Sequence, residues 1–151
     1  MKKLLFTPIL FLLIVGGLQA QEYKIITTVE SIIPGGLGRS RMLSPTEGID
    51  SDEFTTERTN GKKGNAQNKV KRKNLRIDGI EETKMLNFYS LTGINFQNIA
   101  SNDALVTDKL NMMAENGWEL LFVTSGVESN AGEPDGEGIY ITRYVFKRAG
   151  N

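Results

Sequence analysis

Cysteine and histidine are both missing from this chain of 151 residues, and their absence removes several kinds of chemistry. Without cysteine there is no disulfide, no thiolate nucleophile and no thiolate zinc site. Without histidine there is no imidazole base, which excludes Ser/His/Asp triads and histidine-ligated metal centres. The remaining carboxylates, lysines, tyrosines and serines stand in no recognisable catalytic arrangement. The sequence therefore predicts no catalytic residue, no metal site and no cofactor.

Neither sign of charge is in excess, because 18 lysine and arginine residues balance 18 aspartate and glutamate residues. With 39% hydrophobic and 24% charged residues, the chain has the composition of an ordinary globular protein. Its length suits one domain. Stability must come from a packed core, because no disulfide can contribute.

The first twenty residues have the pattern of a secretory signal peptide. Lys2 and Lys3 provide a positive start, residues 4–18 form an apolar stretch, and small Ala20 precedes the expected cut. The alternative is a membrane anchor, but the stretch is shorter than the roughly 20 residues that span a bilayer. We predict export to the periplasm or the extracellular space, cleavage after Ala20, and no transmembrane span after cleavage.

The remaining patterns predict a single small α+β domain formed by residues 21–43 and 84–149. Two segments, 22–33 and 139–148, read as strands because β-branched and aromatic residues alternate in them. Residues 118–125 are apolar on both faces, which favours a central strand. We predict a mainly antiparallel sheet of three or four strands with one helix packed on a face.

The two faces of the sheet are predicted to differ. In the first strand, Tyr23, Ile25 and Val29 share an apolar face that we assign to the core, and Lys24 and Glu30 share a mixed face. A single helix covers only one face of the sheet. The opposite face must meet solvent, the segment before the helix, or another subunit.

The helix between these strands has a predicted start and end. Ser101, Asn102 and Asp103 supply N-capping oxygens at the start. Gly117 suits the left-handed position just after the end. Trp118 then falls one position later, where it would pack back on Met113. Gly117 and Trp118 are therefore predicted structural residues.

Residues 44–83 are predicted to be a charged, flexible insert. Acidic residues gather in 47–57 and basic residues in 58–76, with few large apolar side chains among them. So little apolar surface cannot offset the entropy of ordering the chain. The basic run carries no aromatic residue for base stacking, so nucleic acid is disfavoured as a partner. A solvated arm, a contact with an anionic envelope component and a contact with the chain's own acidic block remain open.

A glycine-rich tract at 35–41, GGLGRSR, is the candidate binding site. Its glycines can turn backbone N–H groups toward an anion, and Arg39 and Arg41 share one strand face. The tract lacks the Lys-Ser/Thr ending of a phosphate-binding loop, so a turn with two solvated arginines competes with this interpretation. Arg39 and Arg41 are the candidate anion-binding residues.

Several short stretches together resemble a bacterial domain family of unknown function. Its members read EYKVV near the start, LNxxGxxGWELV at a helix-to-strand junction, and FKR at the end, as in small exported uncharacterised proteins of Bacteroidota. The matching residues here are 22–26, 110–111, 117–121 and 146–148. The resemblance excludes the leader and the 44–83 insert. It implies an exported α+β domain and supplies no catalytic residue.

Two functional classes compete on this sequence. The first is a non-catalytic binding or interaction module of the cell envelope, with a protein or an anionic envelope component as partner. A homo-oligomer formed through the uncovered sheet face belongs to this class. The second is a periplasmic hydrolase or lyase that uses carboxylates or lysine. The lack of nucleophile–base pairs favours the first.

We predict that the exported protein begins at Gln21, because a positive start, an apolar run and a small residue occur in the correct order. The intact mass of the exported protein should lack the first twenty residues. An Ala20→Trp variant should be cleaved poorly, because the position before the cut requires a small side chain. A full-length species retained in the membrane would contradict the prediction.

Overall fold

The computed structural model describes residues 20–33, 40–59, 61–63, 70–128 and 138–150. The described residues form an α+β fold, as predicted, in which one long helix packs on an antiparallel sheet. Two short 3-10 turns, at Ser51–Phe54 and Arg72–Leu75, lie within the predicted insert. The strands and the helix are, in chain order, β1 (Gln21–Ser31), β2 (Arg41–Pro45), β3 (Arg58–Thr59), β4 (Lys62–Lys63), β5 (Ile80–Lys84), β6 (Tyr89–Ser90), β7 (Gly93–Ile94), α1 (Phe96–Glu115), β8 (Glu119–Val127) and β9 (Ile139–Ala149).

The main sheet has five strands in the order β5-β2-β1-β9-β8, and every neighbouring pair is antiparallel. β1 pairs with β9 along its full length, from Gln21 opposite Ala149 to Ser31 opposite Ile139. β1 and β8 flank β9 and therefore run parallel to each other, with α1 between them in sequence. This is a split β-α-β arrangement. The prediction of three or four strands was too low, because β2 and β5 come from segments interpreted as a turn and an insert.

Residues 46–79 connect two adjacent strands, β2 and β5, and their ends are held together. The backbone N–H of Thr46 donates to the carbonyl of Gly79 at 2.9 Å. The Glu47 carboxylate accepts from the backbone N–H groups of Asp78 at 2.6 Å and Gly79 at 2.9 Å. We call this arrangement the Glu47 clamp. It closes the base of the charged insert beside the sheet.

The structure moves both boundaries of the predicted 44–83 insert. Residues 44–45 belong to β2, where Ser44 is buried, and residues 80–83 belong to β5. The strands of the domain therefore resume at Ile80 rather than after the predicted end of the insert at residue 83. The sequence of β5, IEETK, hid this strand, because all five residues are exposed at the edge of the sheet and need no apolar alternation.

Helix α1 starts earlier than predicted. Its N-cap is Asn95, whose side-chain oxygen accepts from the backbone N–H of Asn98 at 3.1 Å. Ser101, the predicted capping residue, lies inside the helix and donates its hydroxyl to the carbonyl of Gln97 at 2.8 Å. A serine hydroxyl can therefore donate to a carbonyl of the preceding helical turn instead of capping the start of a helix.

The predicted end of α1 is confirmed. Gly117 has a φ of 78°, in the left-handed region. Its N–H donates to the carbonyl of Ala114 at 2.9 Å, and the N–H of Trp118 donates to the carbonyl of Met113 at 3.0 Å. This pair of bonds is the Schellman motif, which satisfies carbonyls that a helix end would otherwise leave unpaired. Trp118 packs against the core cluster that contains Met113.

The face of β1 that meets the helix is the opposite of the predicted one. Ile26 and Thr28 are buried under α1, whereas Tyr23 is 62% exposed on the other face. The mixed face can be internal because the charge of Glu30 finds a hydrogen-bond donor on the helix. The buried apolar side chains are Ile26, Met42, Met85, Met113 and Phe146.

Strand β8 is an edge strand, although its apolar sequence predicted a central one. All nine of its residues are exposed, and no described strand lies beyond it. β9 lies between β1 and β8, and the chain contributes no further described strand on that side. The apolar side chains of β8 are also exposed on both faces of the sheet.

We predict that Gly117→Ala destabilises the domain by about 1 kcal/mol, because a Cβ at positive φ is strained although no atom lies within 4 Å of it. Gly126→Ala is the matched control, since this glycine in β8 also has open space but no positive φ. Chemical denaturation of both variants checks this. Equal denaturation midpoints for the two variants would show that the left-handed conformation of Gly117 does not affect the cost of the substitution.

Candidate functional site

Of the two predicted anion-binding arginines, Arg39 lies outside the described residues and Arg41 opens β2. The Arg41 guanidinium donates Nε–H to Oε1 of Glu82 on β5 and Nη1–H to the carbonyl of Ser40 at 2.8 Å. Its side chain is partly exposed, so an anion would have to compete with Glu82 for it. The anion site stays a prediction.

Trp118, the predicted structural residue, also anchors a charged group. The Arg148 guanidinium lies 4.4 Å from the centre of a Trp118 ring, in a cation–π contact. The same guanidinium donates its Nε–H to Oε2 of Glu22 at 2.7 Å, and its Nη2 lies 2.7 Å from that oxygen in an ion pair. These contacts join the ends of β1, β8 and β9. They give Trp118 a structural role in the sheet.

A buried amide, Asn102, links the helix to the sheet and to the segment before the helix. It is 1% exposed. Its Oδ1 accepts from the N–H of Leu86 at 2.9 Å, and its Nδ2 donates to the carbonyl of Leu86 at 2.7 Å. The same nitrogen lies 3.1 Å from Oε1 of Glu30 on β1. One side chain therefore pairs with both backbone groups of Leu86 and with a half-buried carboxyl group.

Glu30 and Tyr144 form a pair of perturbed acidic groups next to this amide. Burial raises the pKa of Glu30, although the hydrogen bond from Asn102 opposes the rise and the nearby charge of Asp103 adds to it. Burial also raises the pKa of Tyr144, and the carboxylates of Glu30 and Asp103 contribute in the same direction. Groups with shifted pKa values mark candidate functional sites, but hydrogen-bond networks that serve only the fold also shift pKa values.

The cavity beside Tyr144 is small. The cavity that Tyr144 lines, together with Ile26, Val106 and Phe146, has a volume of about 10 Å³ and apolar walls. Such a volume is about the minimum for one water molecule. The acidic pair therefore has a structural explanation, in which Asn102 holds Glu30 and the helix against the sheet.

A larger exposed feature lies on the face of the sheet away from the helix, which we call the open face. Phe122 lies opposite Val145 in the β8–β9 ladder, and Val145 lies opposite Ile25 in the β9–β1 ladder. Directly paired residues share a face, so these three side chains line up across the sheet. Phe122 is 55% exposed and Ile25 is 44% exposed.

Arg143 lies in the next row across the open face, between Thr27 of β1 and Thr124 of β8. The Arg143 side chain makes no hydrogen bond or ion pair with the part of the chain that the structure describes. Beside it, at the adjoining ends of β8 and β9, is an open depression of about 340 Å³. The lining residues are Gly126, Val127, Glu128, Ile139, Ile141 and Arg143.

The opposite side of β8 is also uncovered. Val123 pairs with Tyr144 and Val127 pairs with Tyr140, on the face where α1 packs. The helix does not extend over them, and Val127 is 59% exposed. We use the term β8 surface for the apolar side chains that β8 exposes, namely Leu120, Leu121, Phe122, Val123 and Val127.

The sequence did not identify this surface or the Asn102 junction. Its only signal for the surface was the apolar run LLFV, which is also the signal of a central strand. In the sequence, Asn102 stands out only as one of three candidate N-capping residues. Arg143 gave no signal, because the pairing of strands decides what surrounds it.

Within the described ranges, no group of three or more acidic residues is arranged to hold a metal ion. In the same ranges, no helix combines the length and the apolar character that crossing a bilayer requires. No family model, curated protein or solved structure matches the chain.

We predict that Glu30→Gln stabilises the domain at pH 7. The raised pKa means that the folded chain keeps this proton to higher pH than the unfolded chain does. Stability therefore falls as the pH rises from 4.5 through the raised pKa, and a neutral amide avoids that loss while still accepting from Asn102. Denaturation midpoints measured at pH 7 and near pH 3, where the glutamate and the glutamine side chains are both neutral, check this.

Glu47→Gln is the matched control for this experiment. The backbone N–H groups of Gly79 and Asp78 lower the pKa of Glu47, so its charged form is favoured in the folded chain. The amide should therefore be less stable than the wild type at pH 7, the opposite sign. A Glu30→Gln variant that is also less stable at pH 7 would contradict the assignment of Glu30.

Proposed function

We propose that this chain is an exported, non-catalytic interaction module of the cell envelope, and that the β8 surface and the open face bind its partner. The observation that carries the proposal is the exposure of β8. Nine consecutive strand residues, among them Leu120 to Val123, are exposed on both faces of the sheet. Contiguous exposed apolar patches of this kind typically mark interaction sites.

Arg143 adds chemistry to this surface. A guanidinium group surrounded by Val145, Ile141 and Phe122 favours a partner that brings an acidic or carbonyl group into an apolar contact. Arginine and aromatic residues are also enriched among the residues that dominate the energy of protein interfaces. We therefore expect a protein partner at this surface. Arg41, held by Glu82, is a second and separate candidate for an anionic component.

Export is part of the same proposal, and the position of β1 supports it. The strand begins at Gln21, directly after the predicted cut. Removal of Ala20 costs the one hydrogen bond that its carbonyl accepts from the N–H of Gly150, and the β1–β9 ladder from Gln21 onward is kept. We also propose membership of the exported family that the sequence resembles.

A periplasmic hydrolase or lyase remains the second candidate function, and the Glu30–Tyr144 pair favours it. The two groups are acidic, close to Asp103, and shifted in pKa. Substrate would need access to them, whereas the cavity that Tyr144 lines has a volume of about 10 Å³. Saturable binding without turnover separates the two candidates.

We predict that Phe122→Asp abolishes partner binding without unfolding the domain, because a charge is placed in the apolar surface at an exposed position. A photo-crosslinking residue at Thr124, next to Arg143 on the open face, reports the bound partner in intact cells. The Thr124 adduct should disappear in Phe122→Asp.

Leu91→Asp is the matched control, since Leu91 is an exposed apolar residue away from β8, 88% exposed in the β6–β7 turn. It should leave the adduct unchanged. The proposal fails if Thr124 gives no adduct in the wild type, or if Phe122→Asp leaves the adduct as strong as before while the domain remains folded.

A further inference from the structure

We propose that β8 pairs with the β8 strand of a second copy of this chain. The two strands run antiparallel, related by a twofold axis at Ser125, so that one sheet continues across both protomers. This inference rests on the proposed function, in which the β8 surface binds a partner, and it names that partner. Three observations carry it: the contrast between the two sheet edges, the direction of the β8 backbone groups, and the symmetry of the side chains.

The two edges of the main sheet are built differently. β5, at one edge, has the sequence IEETK, and its charged side chains protect the edge from pairing with another strand. β8, at the other edge, has the sequence ELLFVTSGV, with one charged residue at its start and no lysine or proline. The carboxylate of that residue, Glu119, already bonds to Lys147 at 3.2 Å. Natural proteins usually protect a long edge strand, unless the edge is used.

The edge of β8 that no described strand pairs with presents three residues for pairing. The N–H of Glu128 donates to the carbonyl of Ile139 at 2.9 Å, which shows that Glu128 directs its backbone groups to β9. Direction alternates along a strand, so Val123, Ser125 and Val127 direct their N–H and C=O groups away from β9. A bulge between Leu120 and Phe122 ends this regular run.

One twofold register uses all three residues. With Ser125 opposite Ser125 of the partner subunit, Val123 lies opposite Val127 of the partner subunit, and the symmetry repeats this pair. Each of these opposed pairs can exchange two backbone hydrogen bonds. A twofold axis at the adjacent Thr124 or Gly126 would leave one of the three residues opposite a residue outside the run. Because the bulge limits the regular run to these three residues, the twofold axis lies at the middle one, Ser125.

The side chains fit the same register. The Val123 and Val127 pairs bring together β-branched residues that are 47% and 59% exposed in the single copy. On the open face, Phe122 reaches the diagonal neighbour Gly126 of the partner subunit, and Gly126 has no atom within 4 Å of where its Cβ would be. An aromatic ring covering a glycine of a neighbouring strand is a known stabilising pair. No two acidic residues are opposed in this register.

The first experiment measures self-association of the mature protein by analytical ultracentrifugation over a range of concentrations. The wild type should dimerise, and Val123→Lys should raise the dimer dissociation constant by about tenfold or more, because a charge is buried against valine. Thr83→Lys places the same lysine on β5 at the opposite edge and should leave the constant unchanged. Circular dichroism confirms that both variants fold. A wild type that stays monomeric at about 1 mM overturns the proposal.

The second experiment uses the absence of cysteine from the chain. In Ser125→Cys the new thiols of two copies meet on the twofold axis, within the Cα separation that a disulfide needs. Diamide should convert this variant to a covalent dimer at low protein concentration. Thr83→Cys, which is also exposed but lies on the other edge, should remain monomeric. Equal crosslinking of the two variants would reflect random collision and would count against the pairing.

The failure of this inference can be distinguished from the failure of the proposed function. Suppose that the protein is monomeric but its Thr124 adduct with another protein still depends on Phe122. The proposed interaction module then stands, and a second copy is excluded as its partner. A monomeric protein with no such adduct removes both. If the dimer forms, the Thr124 adduct should contain two copies of this chain.

Discussion

The pairing of β1 with β9 along their full lengths is the interaction on which the rest of the structure depends. It places Ile26 and Phe146 on the same face of the sheet, where α1 packs on them. It also joins the two ends of the described chain, because the N–H of Gly150 reaches the carbonyl of Ala20. With one side of β9 occupied by β1, only its other side is left for β8. The exposed edge is a direct result of this arrangement.

The helix is fixed to that sheet by few groups, so each of them matters. Few apolar side chains are fully buried, and a small core leaves little excess stability. Asn102 compensates by bonding to β1 and to the segment before the helix at the same time. A polar junction of this kind fixes one arrangement of the helix, since any other would leave buried backbone groups unpaired.

Local signals predicted the parts of the fold that are decided locally. The Gly117 turn follows from the conformational freedom of glycine, and the α+β class follows from the order of strand and helix patterns. The edge strand β5, the position of β8 and the core face of β1 depend on which strands become neighbours, and no local pattern contains that information. For the same reason the surroundings of Arg143 and Asn102 emerged only with the structure. Arg41 was predicted as a candidate, but its partner Glu82 lies on a strand that had been interpreted as flexible insert.

Because of the Glu47 clamp, the pairing of β2 with β5 does not depend on the length of the connection between them, residues 46–79. Thr46 and Gly79 are bonded directly, so the chain leaves and re-enters the sheet at almost the same point. A protease cut between them would produce two fragments that both retain strands of the main sheet, β1 and β2 in one fragment and β5, β8 and β9 in the other. Such fragments would stay associated through the β1–β9 and β2–β5 ladders. The same point could accept a loop of another length, or a whole inserted domain, because the separation of its two ends is set by the clamp.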